Sequence, residues 1–289
     1  MKNKLCVVTG ANAGIGKEVA KSLVQQGAKV IMVCRSEERA REARNEILGA
    51  VTRSSRPAVD VEVADFSDLD SVALLAQRLA ANYRSINALI NNAGAFFSDR
   101  HLVSQGWEKT FVTNHLGPML LTERILLSMG NSVEGNDHPP MRIVNVASEA
   151  HHQVRRRTED WHGEETYSGI KAYGLTKLCN ILYTKDLANR FPANQVVAYS
   201  LHPGVIATNI GTKGGGIAGL IWKISKPFMS TVEKGAQTPI YLATQDKIQG
   251  QSGDYFIRCK VTTPSKLARD ASYLESLMQY SQNLLKPWL

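Results

Sequence analysis

Tyr173 and Lys177 stand four residues apart in Ala172-Tyr173-Gly174-Leu175-Thr176-Lys177, a spacing that puts two side chains on one face of a helix. A free phenol titrates near 10, and bringing it near 7 takes roughly 4 kcal/mol of preference for the phenolate. One ammonium about 4 Å away supplies energy of that order at an effective dielectric near 20. Such a pair can give a proton to a carbonyl oxygen, or take one from an alcohol, near neutral pH. A second pair of the same spelling, Tyr167 and Lys171, lies six residues upstream in Tyr167-Ser168-Gly169-Ile170-Lys171. There Ser168-Gly169 reads as a loop, whereas Leu178, Ile181, Leu182 and Leu187 continue from Tyr173 at helical spacing. The chemistry is therefore assigned to Tyr173 and Lys177.

Thr9-Gly10-Ala11-Asn12-Ala13-Gly14-Ile15-Gly16 follows an apolar run and precedes a helical pattern with Val19, Ala20, Leu23 and Val24 on one face. Amides at such a helix start can receive a pyrophosphate, and glycines permit its close approach. Gly10, Asn12, Gly14, Ile15 and Gly16 are the candidate contacts, although their spacing departs from the common G-x-G-x-x-G pattern. A Walker A loop ending in Gly16-Lys17 fails, because Ala11 stands where a glycine is needed and Glu18 where the magnesium-binding hydroxyl belongs. In dinucleotide folds the residue closing the second strand faces the adenosine ribose. Arg35 holds that place. Its guanidinium suits a 2′-phosphate and offers a 2′-hydroxyl no acceptor, so NADP(H) is expected over NAD(H). A solvated surface charge with Glu37 close by is the competing reading of Arg35.

These residues need a scaffold that brings loops from distant strands together. Apolar or β-branched runs at 4–9, 29–34, 59–63, 88–90, 142–146, 195–201 and 255–261 alternate with helical patterns near 36–48, 68–79, 107–127, 173–189 and 233–244. Strands apolar throughout and separated by helices imply a parallel sheet covered on both faces. The expected fold is α/β: a single Rossmann-type doubly wound domain over residues 1–289, with a seven-stranded parallel sheet and helices on both faces. Residues 131–140 read as a surface loop.

With several motifs in this order, the chain resembles the short-chain dehydrogenase/reductase family over nearly its whole length, through TGANAGIG at 9–16, Asn91-Asn92-Ala93-Gly94 and the Tyr173 stretch. The resemblance implies an NADP(H)-dependent oxidoreductase interconverting a carbonyl and an alcohol, with Asn114, Ser148, Tyr173 and Lys177 as its catalytic set. Ser148 in Val144-Asn145-Val146-Ala147-Ser148 would polarise the substrate carbonyl, Asn114 would hold a water leading to the lysine, and Lys177 would also hold the nicotinamide ribose. For the cofactor it adds Asp65 and Phe66 at the adenine, Asn92, Ala93 and Gly94, and the nicotinamide-side loop with Pro203, Gly204, Val205 and Thr208. Asp65 also suits a helix cap, and His202 is read as structural. The 25 positions between Ser148 and Tyr173 are similar to the retinol-dehydrogenase-like branch, which points to a retinoid, steroid or other lipophilic substrate. The rival is a non-catalytic NADP(H)-sensing protein on the same fold.

Residues 208–230 carry Gly214-Gly215-Gly216 and then Ile217, Leu220, Ile221, Trp222, Ile224, Phe228 and Met229. This suits a hinged lid over an apolar substrate, and also peripheral contact with a membrane or a homodimer interface. The net charge of +8 is spread along the chain apart from Arg155-Arg156-Arg157, with no nucleic-acid-binding motif beside it. His151, His152 and His162 lack metal-site spacing and read as solvated loop histidines, so no metal is expected. The first apolar run, Leu5–Val8, is too short for a signal core or a membrane span. Four cysteines lie far apart without CxxC spacing, and the expected compartment is intracellular and cytoplasmic.

Overall fold

The computed structural model describes residues 1–51, 58–129, 139–204 and 231–289. Its centre is one sheet in the order β3-β2-β1-β4-β5-β6-β7-β8. The strands are β1 Leu5–Thr9, β2 Lys29–Cys34, β3 Val59–Val63, β4 Ala88–Asn91, β5 Met141–Val146, β6 Val196–His202, β7 Tyr255–Ile257 and β8 Lys260–Val261. The first seven pair in parallel, and β8 turns back antiparallel on β7. The run expected as one strand at 255–261 is thus a hairpin. Arg258 and Cys259 sit at φ 51° and 61°, the left-handed pair that a two-residue turn between twisted strands requires.

Among the described residues seven helices cover the faces: α1 Gly14–Gln25, α2 Glu37–Gly49, α3 Leu69–Asn82, α5 Gly117–Met129, α6 Gly169–Arg190, α7 Val232–Thr244 and α8 Ala271–Leu285, with a single turn, α4, at Lys109–Phe111. Side chains alternate across each strand. On β1, Val7 faces a core shared with α3, α5, α6 and α8, while Cys6 and Val8 face one shared with α1, α2 and α7. Strand order reverses between β1 and β4, and the crevice beyond the carboxyl ends of strands at such a switch is where doubly wound folds bind ligands. The Gly10 and Asn92 loops leave the sheet there.

Three further features differ from the sequence expectation. The helix expected over 107–127 is interrupted by a π-helical segment at Val112–Leu116. The helix that carries Tyr173, α6, starts at Gly169, so Lys171 lies in its first turn and not beside a loop. The amphipathic α8, not anticipated, lies against the segment between Ser148 and α6. There the Trp161 and Tyr273 rings stack at 5.4 Å and Arg157 Nη1 donates to Ser272 Oγ at 2.9 Å. The loop at 131–140 falls, except for its last two residues, outside the described residues. Among the described residues no helix is long and apolar enough to cross a membrane.

Candidate active site

The site is assembled at the carboxyl ends of β1, β4 and β5. Thr9 Oγ1, fully buried at the end of β1, accepts from the backbone amides of Asn92 and Ala93 at 3.0 and 2.9 Å. Asn92 Nδ2 in return donates to the Thr9 carbonyl at 2.8 Å. Gly10 takes φ +67°, and a Cβ on Gly16 would stand 2.4 Å from both Asn92 Nδ2 and the Gly10 carbonyl. Only a residue without a side chain lets α1 begin this close to the loop after β4.

The start of α1 has the properties a phosphate needs. Side chains cap α2, α3, α4, α7 and α8 through Ser36, Asp68, Glu108, Thr231 and Asp270. Ala13 caps α1 with no side-chain hydrogen bond, so its first-turn amides are left for another acceptor. Arg35 is exposed at the end of β2 and, among the described residues, has no ion-pair partner. Asp65 Oδ1 accepts from the Ser67 amide and hydroxyl, both at 2.8 Å, while Asp68 caps α3. Phe66 is buried, and a Cβ on Gly117 would stand 2.7 Å from its carbonyl, so α5 starts tight against the Asp65-Phe66 turn.

Asn114 lies in the π-helical segment and is fully buried. Its carboxamide clasps one residue of the loop after β4: Oδ1 accepts from the Ala95 amide at 2.7 Å and Nδ2 donates to the Ala95 carbonyl at 2.8 Å. Nδ2 also donates to Thr176 Oγ1 on α6 at 3.1 Å. A single widened turn of this kind re-aims a side chain without ending the helix. A Cβ on Gly94 would lie 3.4 Å from Asn114 Oδ1 and 3.5 Å from Lys177 Nζ, which places the glycine of the Asn-Ala-Gly loop beside two of the candidate catalytic residues.

Lys177 Nζ is buried, donates to the Val146 carbonyl at 2.8 Å and sits 5.3 Å from the centre of the Tyr173 ring. Phe96 packs edge-on against that ring at 6.1 Å. Burial pushes the Tyr173 phenol up to about 12 and the Lys177 ammonium down to about 8. Both shifts favour the neutral forms, the reverse of what the ammonium alone would do to the phenol. Desolvation is the cause of both shifts.

Ser148 follows β5 and starts the 3₁₀ turn Glu149–Gln153, its Oγ accepting from the Ala150 amide at 3.1 Å. A Cβ on Gly174 would stand 2.6 Å from the Ala150 carbonyl, so glycine next to Tyr173 lets α6 touch the turn that Ser148 opens. Two histidines fix that turn. His151, fully buried, has Nδ1 2.7 Å from the Ser148 carbonyl, and its Nε2 accepts from the Ser265 amide at 3.1 Å. His202 Nδ1 accepts from the Glu149 amide at 3.3 Å, the structural role expected of it.

His151 and His162 therefore correct the reading of solvated loop histidines. His162 is buried, accepts from the Glu108 amide at 3.2 Å, meets the Tyr280 hydroxyl at 2.8 Å and stacks on Trp107. His152 alone is exposed. Nothing in the spacing of these residues marked them as core, because the segments they bond to lie more than 50 residues away. Sequence reasoning also missed a buried polar ladder behind the site. Asn91 Nδ2 donates to Thr122 Oγ1 at 3.0 Å and Asn145 Oδ1 at 2.9 Å, and Asn145 Nδ2 donates to Thr184 Oγ1 at 2.9 Å. It ties β4 and β5 to α5 and α6.

Tyr167 lies outside this assembly. Its hydroxyl meets Glu108 Oε1 and the Phe97 carbonyl, each at 3.2 Å, and Lys171 points to solvent. Pro203 and Gly204 follow β6, with Gly204 at φ +95°. Val205, Thr208 and the 208–230 segment lie outside the described residues.

Residues 4–214 match the family model described as short chain dehydrogenase. The chain is 37% identical over 282 residues to retinol dehydrogenase 12 of Mus musculus, covering 98% of this chain and 86% of that protein. A crystal structure of an uncharacterized protein from Mycobacterium paratuberculosis is similar at TM-score 0.75 and 29% identity, covering 99% of this chain and 94% of that one. A Beutenbergia cavernae structure titled as an NAD(P) dependent gluconate 5-dehydrogenase with bound NADP is similar at TM-score 0.63 and 25% identity, with coverage of 84% and 90%.

Proposed function

The chain belongs to the short chain dehydrogenase family, in its retinol-dehydrogenase-like branch, and we propose that it uses NADP(H) to interconvert a lipophilic carbonyl and its alcohol with Tyr173 as proton donor and acceptor. The observation that carries this is the convergence at Gly94, whose Cβ position lies within 3.5 Å of Asn114 Oδ1 and Lys177 Nζ, with that ammonium 5.3 Å from the Tyr173 ring.

The residues present fit a dinucleotide. The uncapped start of α1 would hold the pyrophosphate, Arg35 the 2′-phosphate, and Asp65, through the oxygen that Ser67 leaves free, the adenine. When bound, the nicotinamide supplies the hydride donor or acceptor. The protein supplies the proton and the polar frame. Tyr173, held neutral by burial, gives its proton to the substrate oxygen as negative charge develops there, and the Ser148 hydroxyl donates to the same oxygen. Lys177 would hold the nicotinamide ribose, and Asn114 fixes the neighbouring Ala95 loop to Thr176 on the same helix. The retinol dehydrogenase relative supports a lipophilic substrate.

The test is NADPH oxidation against a panel of aldehydes and ketones that includes retinal, repeated with NADH. Turnover of apolar carbonyls with NADPH preferred is expected. Tight NADPH binding without turnover of any of them would return the chain to the cofactor-sensing reading.

A further inference from the structure

Two motifs that the catalytic site leaves unused, the Tyr167/Lys171 pair and the run Arg155-Arg156-Arg157, line the same cavity. Its volume is about 570 Å³, within the range of roughly 300–1,000 Å³ typical of small-molecule sites. It lies between the segment that follows the Ser148 turn and the first turns of α6. Tyr173 and Lys177 share one side of that helix, whereas Leu175 in the cavity wall stands two residues from each, about 200° round the axis. The cavity is therefore across the helix from the catalytic face.

Its floor is apolar, with Trp161 and Leu175 buried. Its rim is cationic: Arg155, Arg156 and Lys171 are exposed and, among the described residues, have no ion-pair partner. Three acids also line it, but two are occupied by backbone amides. Glu108 accepts from Thr110 and Phe111 at 2.9 and 2.8 Å, and Asp160 from Glu164 and Glu165 at 2.7 and 3.1 Å. Glu165 is the one exposed acid. Arg157 is already tied to Ser272 and Ser276 on α8. The lining thus carries four cations against three acids, and of these groups the Arg155 and Arg156 guanidiniums and the Lys171 ammonium are exposed above the apolar floor with no ion-pair partner among the described residues.

We propose that this cavity is a second ligand site, for a single-headed anionic amphiphile such as a long-chain carboxylate. The head would pair with the Arg155 and Arg156 guanidinium groups, which match a carboxylate in two-pronged geometry, and the chain would lie over Trp161 and Leu175. The Tyr167 hydroxyl, 3.2 Å from Glu108 Oε1, forms part of the polar wall.

The test is calorimetric titration of the full chain with laurate below its micelle-forming concentration. Arg155→Ala/Arg156→Ala should weaken laurate binding about tenfold or more while unfolding temperature and carbonyl turnover stay as in the parent, because both side chains are exposed and unpaired. The methyl ester of laurate, which lacks the charge, should bind the parent correspondingly more weakly. Unchanged laurate affinity in the double variant would overturn the proposal, as would equal binding of the ester. Displacement of laurate by a carbonyl substrate would overturn it too, by placing the ligand at Tyr173. Binding to phosphatidylserine vesicles without binding to monomeric laurate would assign the cations to a membrane surface instead.

Discussion

His151→Phe is the substitution whose consequences follow most directly from the geometry. The imidazole is fully buried, and since its Nε2 accepts from the Ser265 amide, the neutral ring carries its proton on Nδ1 and gives it to the Ser148 carbonyl 2.7 Å away. Phenylalanine keeps the ring's volume and removes both bonds. The Ser148 carbonyl retains the His151 amide at 3.1 Å, whereas the Ser265 amide loses its acceptor, so the stability cost is that of about one buried unsatisfied donor, roughly 1–3 kcal/mol. The effect on catalysis is separate, since a displacement of about 1 Å in a reacting group costs up to roughly 100-fold. Carbonyl turnover should fall about ten- to hundredfold with the NADPH KM little changed. In a Ser148→Ala background the same substitution should cost little more, because residues acting through one group are non-additive. His151→Asn, whose amide nitrogen can reach the Nδ1 position, should recover part of the rate. Equal losses in both backgrounds, or a loss confined to the NADPH KM, would refute the claim that His151 positions Ser148.

Arg35→Asp should raise the NADPH KM about tenfold or more and turn the cofactor ratio toward NADH, because a carboxylate repels the 2′-phosphate and accepts from a 2′-hydroxyl; an unchanged ratio of kcat/KM values would count against Arg35 as the phosphate ligand. With Tyr173 pushed up to about 12 and Lys177 down to about 8, the alkaline limb of carbonyl reduction belongs to the lysine, so kcat/KM should fall as pH rises through about 8. A profile flat to pH 10 would contradict this. Burial holds His115 down to about 3 and His151 to about 4, so below 6.5 the unfolded chain takes up protons that the folded one refuses. Stability is lost as pH falls from 6.5 toward those values, at up to roughly 1.4 kcal/mol per unit for each histidine. A urea midpoint constant between pH 6.5 and 4.5 would rule that out.

Much of the fold is local information. The strands β1, β2, β4, β5 and β6 are mainly apolar or β-branched runs and β3 alternates valine with acids, and the Gly10 to Gly16 loop declares its place by lying between a strand and a helix. What was not legible depends on contacts between distant segments. The burial of His151 and His162 is decided by Ser265 and Tyr280, which no local pattern connects to them. The π-helical segment at Asn114 has no spelling of its own, since it answers to the Ala95 and Thr176 bonds. The phenol's surroundings are illegible for a similar reason: the spacing of Tyr173 and Lys177 reveals the charge partner but not the desolvation that pushes the phenol up. The loop expected at Ser168-Gly169 is instead the start of α6, four residues before Tyr173, whereas the apolar stripe of Leu178, Ile181, Leu182 and Leu187 is the face α6 buries.

The central claim is that this chain's proton chemistry runs through Tyr173. Tyr167 offers the same side chain at the same distance from a lysine, yet its hydroxyl is spent on Glu108 and the Phe97 carbonyl. The direct test compares NADPH-dependent carbonyl turnover of Tyr173→Phe and Tyr167→Phe under identical conditions. Loss of about a hundredfold or more in the first, with the second near the parent, is expected; full activity in Tyr173→Phe, or its loss only in Tyr167→Phe, would contradict the account.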